Sequence, residues 1–471
     1  MQTKRDVINW LETNHKRFTS LSDNIWANPE NAFREFYASR LQADFLEAEG
    51  FAISRDLAGM NTAFLAEWGT GHPIIGFAGE YDALPGLSQS KQAQPEPLVE
   101  GGLGHGCGHN LLGTGCLAAA VAVKHWLETT GTPGTVRYYG CPAEETGGGK
   151  AFMARDGLFD DLDAAFNFHP FVANVASKGS MLGVTELKFR FHGVSAHAAA
   201  APEEGRSALD AVELMNVGVN YLREHMPQSA RVHYVITHGG EAPNIVPHEA
   251  EVWYFVRAPL PDQVEDVTER VRRIAEGAAL MTDTRFDEDF SSYNAGVLNN
   301  HALADLQYQA MQFIGPITFS QEERAYAAQI NAAYEASSAV QNMTMQGLPA
   351  NLADNDLLAE NYPAENAHVV LPASTDVGDL SWCAPLSMLF TACWPVRVAL
   401  HTWGAVAAST HTIGHKGMLH AAKIMALTAM DLYSSPDELH KVRAEFDRAT
   451  GGRPYKSLLP GDVRPPRYAD E

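Results

Sequence analysis

Two residue types that bind metal ions sit two positions apart in Gly104-His-Gly-Cys-Gly-His-Asn110, a glycine-rich segment directly ahead of a helix-forming run. On an extended backbone residues i and i+2 point the same way, so the Cys107 thiolate and the His109 imidazole can converge on one ion. The glycines let the chain turn and come close to it. The same segment also reads as a flexible loop with an incidental cysteine, and ligands at other strand ends decide between the two. Cys141-Pro-Ala-Glu-Glu-Thr-Gly-Gly-Gly149 supplies two adjacent carboxylates, Glu144 and Glu145, just past a predicted strand. Neighbouring side chains diverge on an extended backbone, so one can bind a metal while the other faces the bound water; adjacent acids are otherwise solvated loop residues. The next predicted strand, Asp163-Ala-Ala-Phe-Asn-Phe168, ends at His169-Pro170, where a lone histidine is ordinarily a satisfied polar group. Three consecutive strand ends carrying Cys/His, Glu/Glu and His point to a metal centre.

Such groups need a sheet whose strands end side by side. In the first fifty residues Ile8, Trp10, Leu11, Phe18, Leu21, Ile25 and Trp26 recur near a 3.6-residue period until Pro29, which predicts two helices capping a sheet. Runs of β type follow at 63–68 and 73–79, then a Gly/Pro-rich loop, a helix over about 110–129 and a strand at 135–141. This alternation predicts a mixed or parallel sheet covered on both faces, with binding groups at the carboxyl ends of its strands. Between Gly183 and Glu288 the texture changes. Half-exposed strands at 186–192 and 249–257, helices at 207–225 and 261–281, and strands at 231–237 and near 285–290 read as a ferredoxin-like unit. Further helices follow. The irregular stretch 347–372, with Asn351, Asp354, Asn355, Asp356, Asn361, Pro363 and Asn366, reads as a functional loop or lid edge.

Composition narrows the partners. The 471 residues carry 34 basic and 57 acidic side chains, a formal charge of −23, which disfavours nucleic-acid backbones and anionic membranes. At 45% hydrophobic residues and this length, two domains are expected. No stretch approaches the roughly 18 to 20 apolar residues of a membrane span, and Met1–Trp10 lacks the apolar run of a signal peptide, so a soluble cytoplasmic protein is expected. Cys107, Cys116, Cys141, Cys383 and Cys393 are too few and too scattered for a disulfide framework.

With Gly79-Glu-Tyr-Asp-Ala-Leu-Pro-Gly86, Gly193-Val-Ser-Ala-His-Ala-Ala199, Pro243-Asn-Ile-Val-Pro247, Ser374-Thr-Asp-Val-Gly-Asp379 and Leu400-His-Thr-Trp403 added to these segments, nearly the whole chain resembles one family. These are the dinuclear metal peptidases and amidohydrolases that include aminoacylase, carboxypeptidase G, hippurate hydrolase and the indole-acetyl-amino-acid hydrolases. The resemblance implies an α/β fold: a mixed-sheet, zinc-peptidase-like catalytic domain in two parts, 1–182 and 293–471. An inserted ferredoxin-like α+β lid and dimerisation domain, 183–292, separates them. It implies two divalent ions per chain, Zn or Mn, held by Cys107, His109, Glu145, His169 and His401, with the Cys107 thiolate a candidate bridge. His411 and His415 lie near His401 in sequence and read more simply as capping or core histidines. Family members with a His-x-Asp pair differ here, where Glu80-Tyr81-Asp82 lacks that imidazole and leaves Asp82 to orient a ligand.

By the same resemblance Glu144 is the general base and His197 donates to the oxyanion, in cis or across a dimer interface. Asn244 and Arg257 match positions that bind a substrate carboxylate, a task that suits a planar guanidinium. From spacing alone, His197 is a solvent-facing histidine and Arg257 an ordinary charge at a strand end. The implied substrate is an N-acyl amino acid, p-aminobenzoyl-glutamate by preference, with broader N-acyl-amino-acid or dipeptide hydrolysis as the alternative. The implied assembly is a homodimer or a hetero-oligomer with a related subunit. A non-catalytic scaffold subunit is the reading from another class, and an intact Glu144 with its metal ligands argues against it.

Overall fold

The structure, a computed structural model, describes residues 3–470. The chain opens on helix Lys4–Ala27, whose first turn is closed by a capping box between Thr3 and Asp6. Its buried stripe of Val7, Ile8, Leu11, Phe18, Leu21 and Ile25 follows the sequence period. Helix Phe36–Ala48 comes next.

Among the described residues fourteen strands follow, in three sheets. In chain order they are β1 (Ala52–Arg55), β2 (Phe64–Thr70), β3 (Ile74–Glu80), β4 (Gly134–Cys141), β5 (Ala164–Phe171), β6 (Asn174–Ala176), β7 (Ser180–Met181), β8 (Gly183–His192), β9 (Arg231–His238), β10 (Glu249–Ala258), β11 (Arg285–Asn294), β12 (Asn361–Tyr362), β13 (Val370–Leu371) and β14 (Leu386–Ala392). The main sheet has the order β1-β2-β4-β3-β5-β14-β6-β12. Its centre, β4-β3-β5-β14, is parallel throughout. Every residue of β3 and β14 is buried, as expected of parallel strands covered on both faces. From β3 the chain steps to one side for β4 and to the other for β5, so the carboxyl ends of these strands frame a crevice.

Helix His109–Thr130 connects β3 to β4, and its first fifteen residues are all buried, the mark of a helix inside the core rather than on its surface. It packs against helices Lys4–Ala27 and Thr412–Ser434 and on β3, β4 and β5. This core fixes the floor on which the site stands.

Strands β8, β9, β10 and β11 form a separate antiparallel sheet in the order β11-β8-β10-β9, with helices Ala208–Leu222 and Pro261–Thr282 packed on it. Strand order and connections are those of a ferredoxin-like βαββαβ unit. In β10 the residues alternate between half-buried and buried along all ten positions, so one face meets the helices and the other stays open.

One local expectation needs correction. Strand β5 does not stop at Phe168 but continues to Phe171, so His169 projects from the last part of the strand instead of following it. The 347–372 stretch is largely irregular and is held by two short pairings, Asn361–Tyr362 beside β6 in the main sheet and Val370–Leu371 with β7. Side-chain amides hold it as well, with Asn361 Nδ2 donating to the carbonyls of Met311 and Gly315 and Asn366 Oδ1 accepting from the Lys178 N–H. Among the described residues no helix is long and apolar enough to cross a membrane.

Candidate active site

The carboxyl ends of β3, β4 and β5 bring four of the sequence segments together. Cys107 and His109 converge there, though not on an extended backbone as the spacing implies. Gly108 between them takes a left-handed turn, with φ 69°, and His109 is the first residue of helix His109–Thr130. A Cβ at Gly108 would lie 3.0 Å from Trp394 Cζ2 and 3.1 Å from Pro170, so both the angle and the tight space favour glycine. Glu144 and Glu145 also sit in a turn rather than a strand, entered through Ala143 at φ 59°. His401 is the other non-glycine residue of the site with positive φ, 59°, and its N–H donates to the Gly106 carbonyl at 3.0 Å. A non-glycine residue held in this region stores strain that the surrounding fold must offset, a pattern common at functional sites.

Side-chain geometry then separates atoms that could ligate a metal from those that orient them. His109 Nδ1–H donates to Asp82 Oδ1 at 2.9 Å, and Asp82 Oδ2 accepts the Glu145 N–H at 2.9 Å. One buried carboxylate thus sets both an imidazole and the Glu-Glu turn. His169 Nδ1–H donates to the Pro170 carbonyl at 2.8 Å, which leaves Nε2 without a proton and 3.6 Å from Cys107 Sγ. His401 Nε2 lies 3.3 Å from the same sulfur and 3.2 Å from Glu145 Oε2. Three groups of donor atoms result, each within 4.8 Å: Cys107 with His109 and His169; Cys107 with Glu145 and His401; and Glu80 with His109 and Glu144. Cys107 belongs to two of them.

The donor set fits divalent metal. His109 Nε2 and Glu145 Oε1 are buried with no hydrogen-bond partner, a costly arrangement unless a cation meets them. Charge says the same. Burial, and then the carboxylates of Glu145 and Glu144, hold the Cys107 thiol well above its ordinary pKa. Burial together with Glu80 and Glu145 raises Glu144 as well. Burial works against protonation of His109, yet the Asp82 and Glu80 carboxylates override it and push that pKa up. Cys107 and His109 thus keep their protons when no metal is bound, while Glu145 is lowered, against its burial, by hydrogen bonding to His401, and a divalent cation would displace those protons. Thiolate, imidazole and carboxylate together suit Zn and also admit Mn.

A family model described as peptidase family M20/M25/M40 matches residues 76–350. The chain belongs to peptidase family M20/M25/M40. It is 44% identical to one of the subunits of the p-aminobenzoyl-glutamate hydrolase of Escherichia coli, with 98% of each chain covered. The mouse Xaa-Arg dipeptidase is 29% identical over 94% of this chain and 92% of its own. Among solved structures, a dinuclear metal binding peptidase of the M20 family from Bacillus subtilis superposes with a TM-score of 0.60 at 18% identity, covering 90% of this chain and 99% of that one, a likeness of fold. As a member of the M20/M25/M40 family the chain is a hydrolase of amide bonds.

In this M20/M25/M40 member the metal-ligand candidates open into a cavity of about 170 Å³. Cys107, Glu144, Glu145, His169 and His401 line one part of it, and Phe171, Met181, Met345, Leu371, Met388, Phe390 and Leu400 make the rest mostly apolar. His197, Asn244 and Arg257 do not line it. His197 and Asn244 are exposed on adjoining loops, the Ala198 N–H donating to the Asn244 carbonyl at 3.0 Å. The Ala199 and Ala200 amides both donate to His197 Nδ1 at 3.2 Å, which leaves the ring's proton for Nε2. Arg257, near the end of β10, reaches the cavity wall through Ser374, donating from Nη1 to Oγ at 2.6 Å. His411 caps helix Thr412–Ser434 and stacks on Tyr326, and His415 Nε2 lies 3.0 Å from Asp23 Oδ1; neither approaches Cys107.

Behind the site lies a buried charge network with little signature in the sequence. Lys150, fully buried, donates from Nζ to Asp376 Oδ1 at 2.5 Å and lies 2.7 Å from Glu80 Oε1, while Glu80 Oε2 is 3.3 Å from His109 Nε2. The available signal is a lysine directly after three glycines at the head of an apolar helix, together with Asp376 inside a matched segment. Glu80, noted there only for the imidazole it replaces, is held by this network.

Proposed function

We propose that this chain hydrolyses the amide bond of p-aminobenzoyl-glutamate to p-aminobenzoate and glutamate. The observation that carries the reading is the 44% identity, over 98% of both chains, to a subunit of the Escherichia coli hydrolase named for that substrate. The cavity supports it. At about 170 Å³ with mostly apolar walls, it is close to the roughly 150 Å³ apolar cavity known to take a benzene ring.

Cys107, His109, Glu145, His169 and His401 would hold two divalent ions, Zn or Mn, which when bound lower the pKa of water and polarise a carbonyl. Glu144, 3.9 Å from His109 Nε2, takes the proton of the attacking water and later returns it to the leaving amine. Asp82 keeps His109 in the tautomer that presents Nε2. His197 donates its Nε2–H to the oxyanion, a contribution of about 10²–10³ in rate for one such donor. Arg257 and Asn244 bind the free carboxylate of the glutamate moiety. Because His197 and Asn244 stand clear of the cavity in one chain, we take residues 183–292 as a lid and dimerisation domain between the catalytic parts 1–182 and 293–471. Closure of that lid, or a second subunit, delivers these residues and excludes water. The assembly is a homodimer or a hetero-oligomer with a related subunit, in the cytoplasm.

The 29% identity to the Xaa-Arg dipeptidase supports a second reading, a broader N-acyl-amino-acid or dipeptide hydrolase. The test is a panel of p-aminobenzoyl-glutamate, hippurate-like substrates and dipeptides, presented to the isolated chain with Zn or Mn added. Highest kcat/KM on p-aminobenzoyl-glutamate is expected. Preference for dipeptides overturns the reading in favour of the second, and no turnover of any of them favours a scaffold subunit.

A further inference from the structure

Phe390 lies on β14 and pairs in register with His169 on the parallel strand β5, so the two side chains leave the sheet on the same face. Their ring centroids are 6.2 Å apart. Phe171, two residues past His169 on that face, meets Phe390 edge-on at 6.0 Å. Strand β14 is paired on both sides, with β5 and with β6, so the sheet fixes where the Phe390 ring stands. That ring lines the cavity and is 8% exposed, against 2% for Phe171 and 2% for Met388, so it is the aromatic surface that the cavity presents beside a metal-ligand candidate. Among the described residues no lysine or arginine lines the cavity, while Glu144 and Glu145 do. The carboxylates of a glutamate moiety find no side-chain cation there, and the apolar walls suit the acyl group instead. In an aroyl amide the ring is bonded directly to the scissile carbonyl, so the wall adjoining His169 is the one it meets.

We propose that Phe390 is a specificity-determining residue, its ring packing against the acyl ring of the substrate and selecting aromatic over saturated acyl groups of similar size. This deepens, and rests on, the aroyl-glutamate reading above. Apolar burial alone does not make that distinction, because a cyclohexane ring removes at least as much apolar surface from water as a benzene ring. The aromatic quadrupole does. Offset-stacked and edge-to-face contacts between two aromatic rings add to what area burial supplies, and a saturated ring forgoes them. Phe171, more deeply buried, packs against the Phe390 ring and helps to hold it.

The experiment measures kcat/KM for benzoyl-glutamate and cyclohexanecarbonyl-glutamate on the full metal-loaded chain and on Phe390→Leu, which keeps an apolar side chain and removes the ring. Comparing the ratio of the two substrates between the two proteins cancels their different intrinsic reactivity. The benzoyl-to-cyclohexanecarbonyl ratio is expected to fall by about 3- to 10-fold in the variant, within the range of one aromatic pair beyond its buried area. Inhibition of the wild type by benzoate and by cyclohexanecarboxylate needs no variant, and benzoate is expected to bind more tightly by about threefold or more. An unchanged substrate ratio in Phe390→Leu overturns the proposal. So does an equal fall on both substrates, which is what a packing role alone would give, and so does equal inhibition of the wild type by the two acids. Failure of the wild type to hydrolyse either acyl-glutamate overturns the underlying reading and this proposal together, an outcome distinct from the others.

Discussion

Lys150→Met removes an ammonium that two buried carboxylates share. The side chain is fully buried, 2.5 Å from Asp376 Oδ1 and 2.7 Å from Glu80 Oε1, and methionine fills similar space without charge. Breaking a buried pair by deleting one partner costs about 3–5 kcal/mol, because the other charge stays buried and unpaired. Unfolding entropy near 2.1 cal/mol/K per residue gives roughly 1 kcal/mol/K for a chain this long, so Tm should fall by about 3–5 °C if the chain unfolds as one unit. The loss should depend on pH. Burial raises Asp376 to about 6 even with Lys150 beside it, above the carboxyl value of ~3.9 in an unfolded chain. A raised acid holds a proton in the folded state that the unfolded chain has released, so stability declines as pH rises from about 4 through 6. Without the ammonium that window extends upward. The deficit of Lys150→Met is therefore greatest at pH 8 and smaller at pH 5, where the stranded carboxylates protonate. Thermal unfolding of wild type and variant at both pH values, metal-free and metal-loaded, measures it. A Tm change below about 1 °C at pH 8, or an equal loss at both pH values, refutes the assignment of Lys150 as the neutralising charge.

Two further substitutions test the groups around it. Asp82→Asn, which disturbs the Asp82 contact to His109 Nδ1 and the Glu145 N–H, should weaken metal affinity about 10- to 100-fold while saturating metal restores most of kcat; unchanged affinity in a chelator titration would leave Asp82 without the orienting role. Arg257→Ala should raise KM for an acyl amino acid with a free α-carboxylate far more than for its amide, and equal effects on both would make the arginine structural.

Much of the fold was legible because the main sheet obeys simple periodicities. Strands β2, β3 and β4, the long core helix and the βαββαβ unit follow from apolar runs, turn residues and the change to half-exposed alternation. Cys107, His109, Glu144, Glu145 and His169 were legible for a related reason, since they stand at or beyond the ends of strands that share a sheet, whereas His401 was legible only through the resemblance. What the sequence concealed is of another kind. The convergence of Cys107 with His109 depends on a left-handed glycine, which spacing alone does not distinguish from an extended segment. Lys150 and Asp376 are charges buried in apolar surroundings, and their pairing joins segments 226 positions apart. Each of these is a tertiary fact with little local signature.

Metal content and p-aminobenzoyl-glutamate turnover, measured side by side on wild type and Glu144→Gln, test at once whether Cys107, His109, Glu145, His169 and His401 hold two divalent ions and whether Glu144 is the base acting beside them. Two ions per chain are expected in each protein, with turnover lower by about 10²–10⁴ in the variant. Turnover near wild type in Glu144→Gln, or loss of both ions on that substitution, would contradict the account.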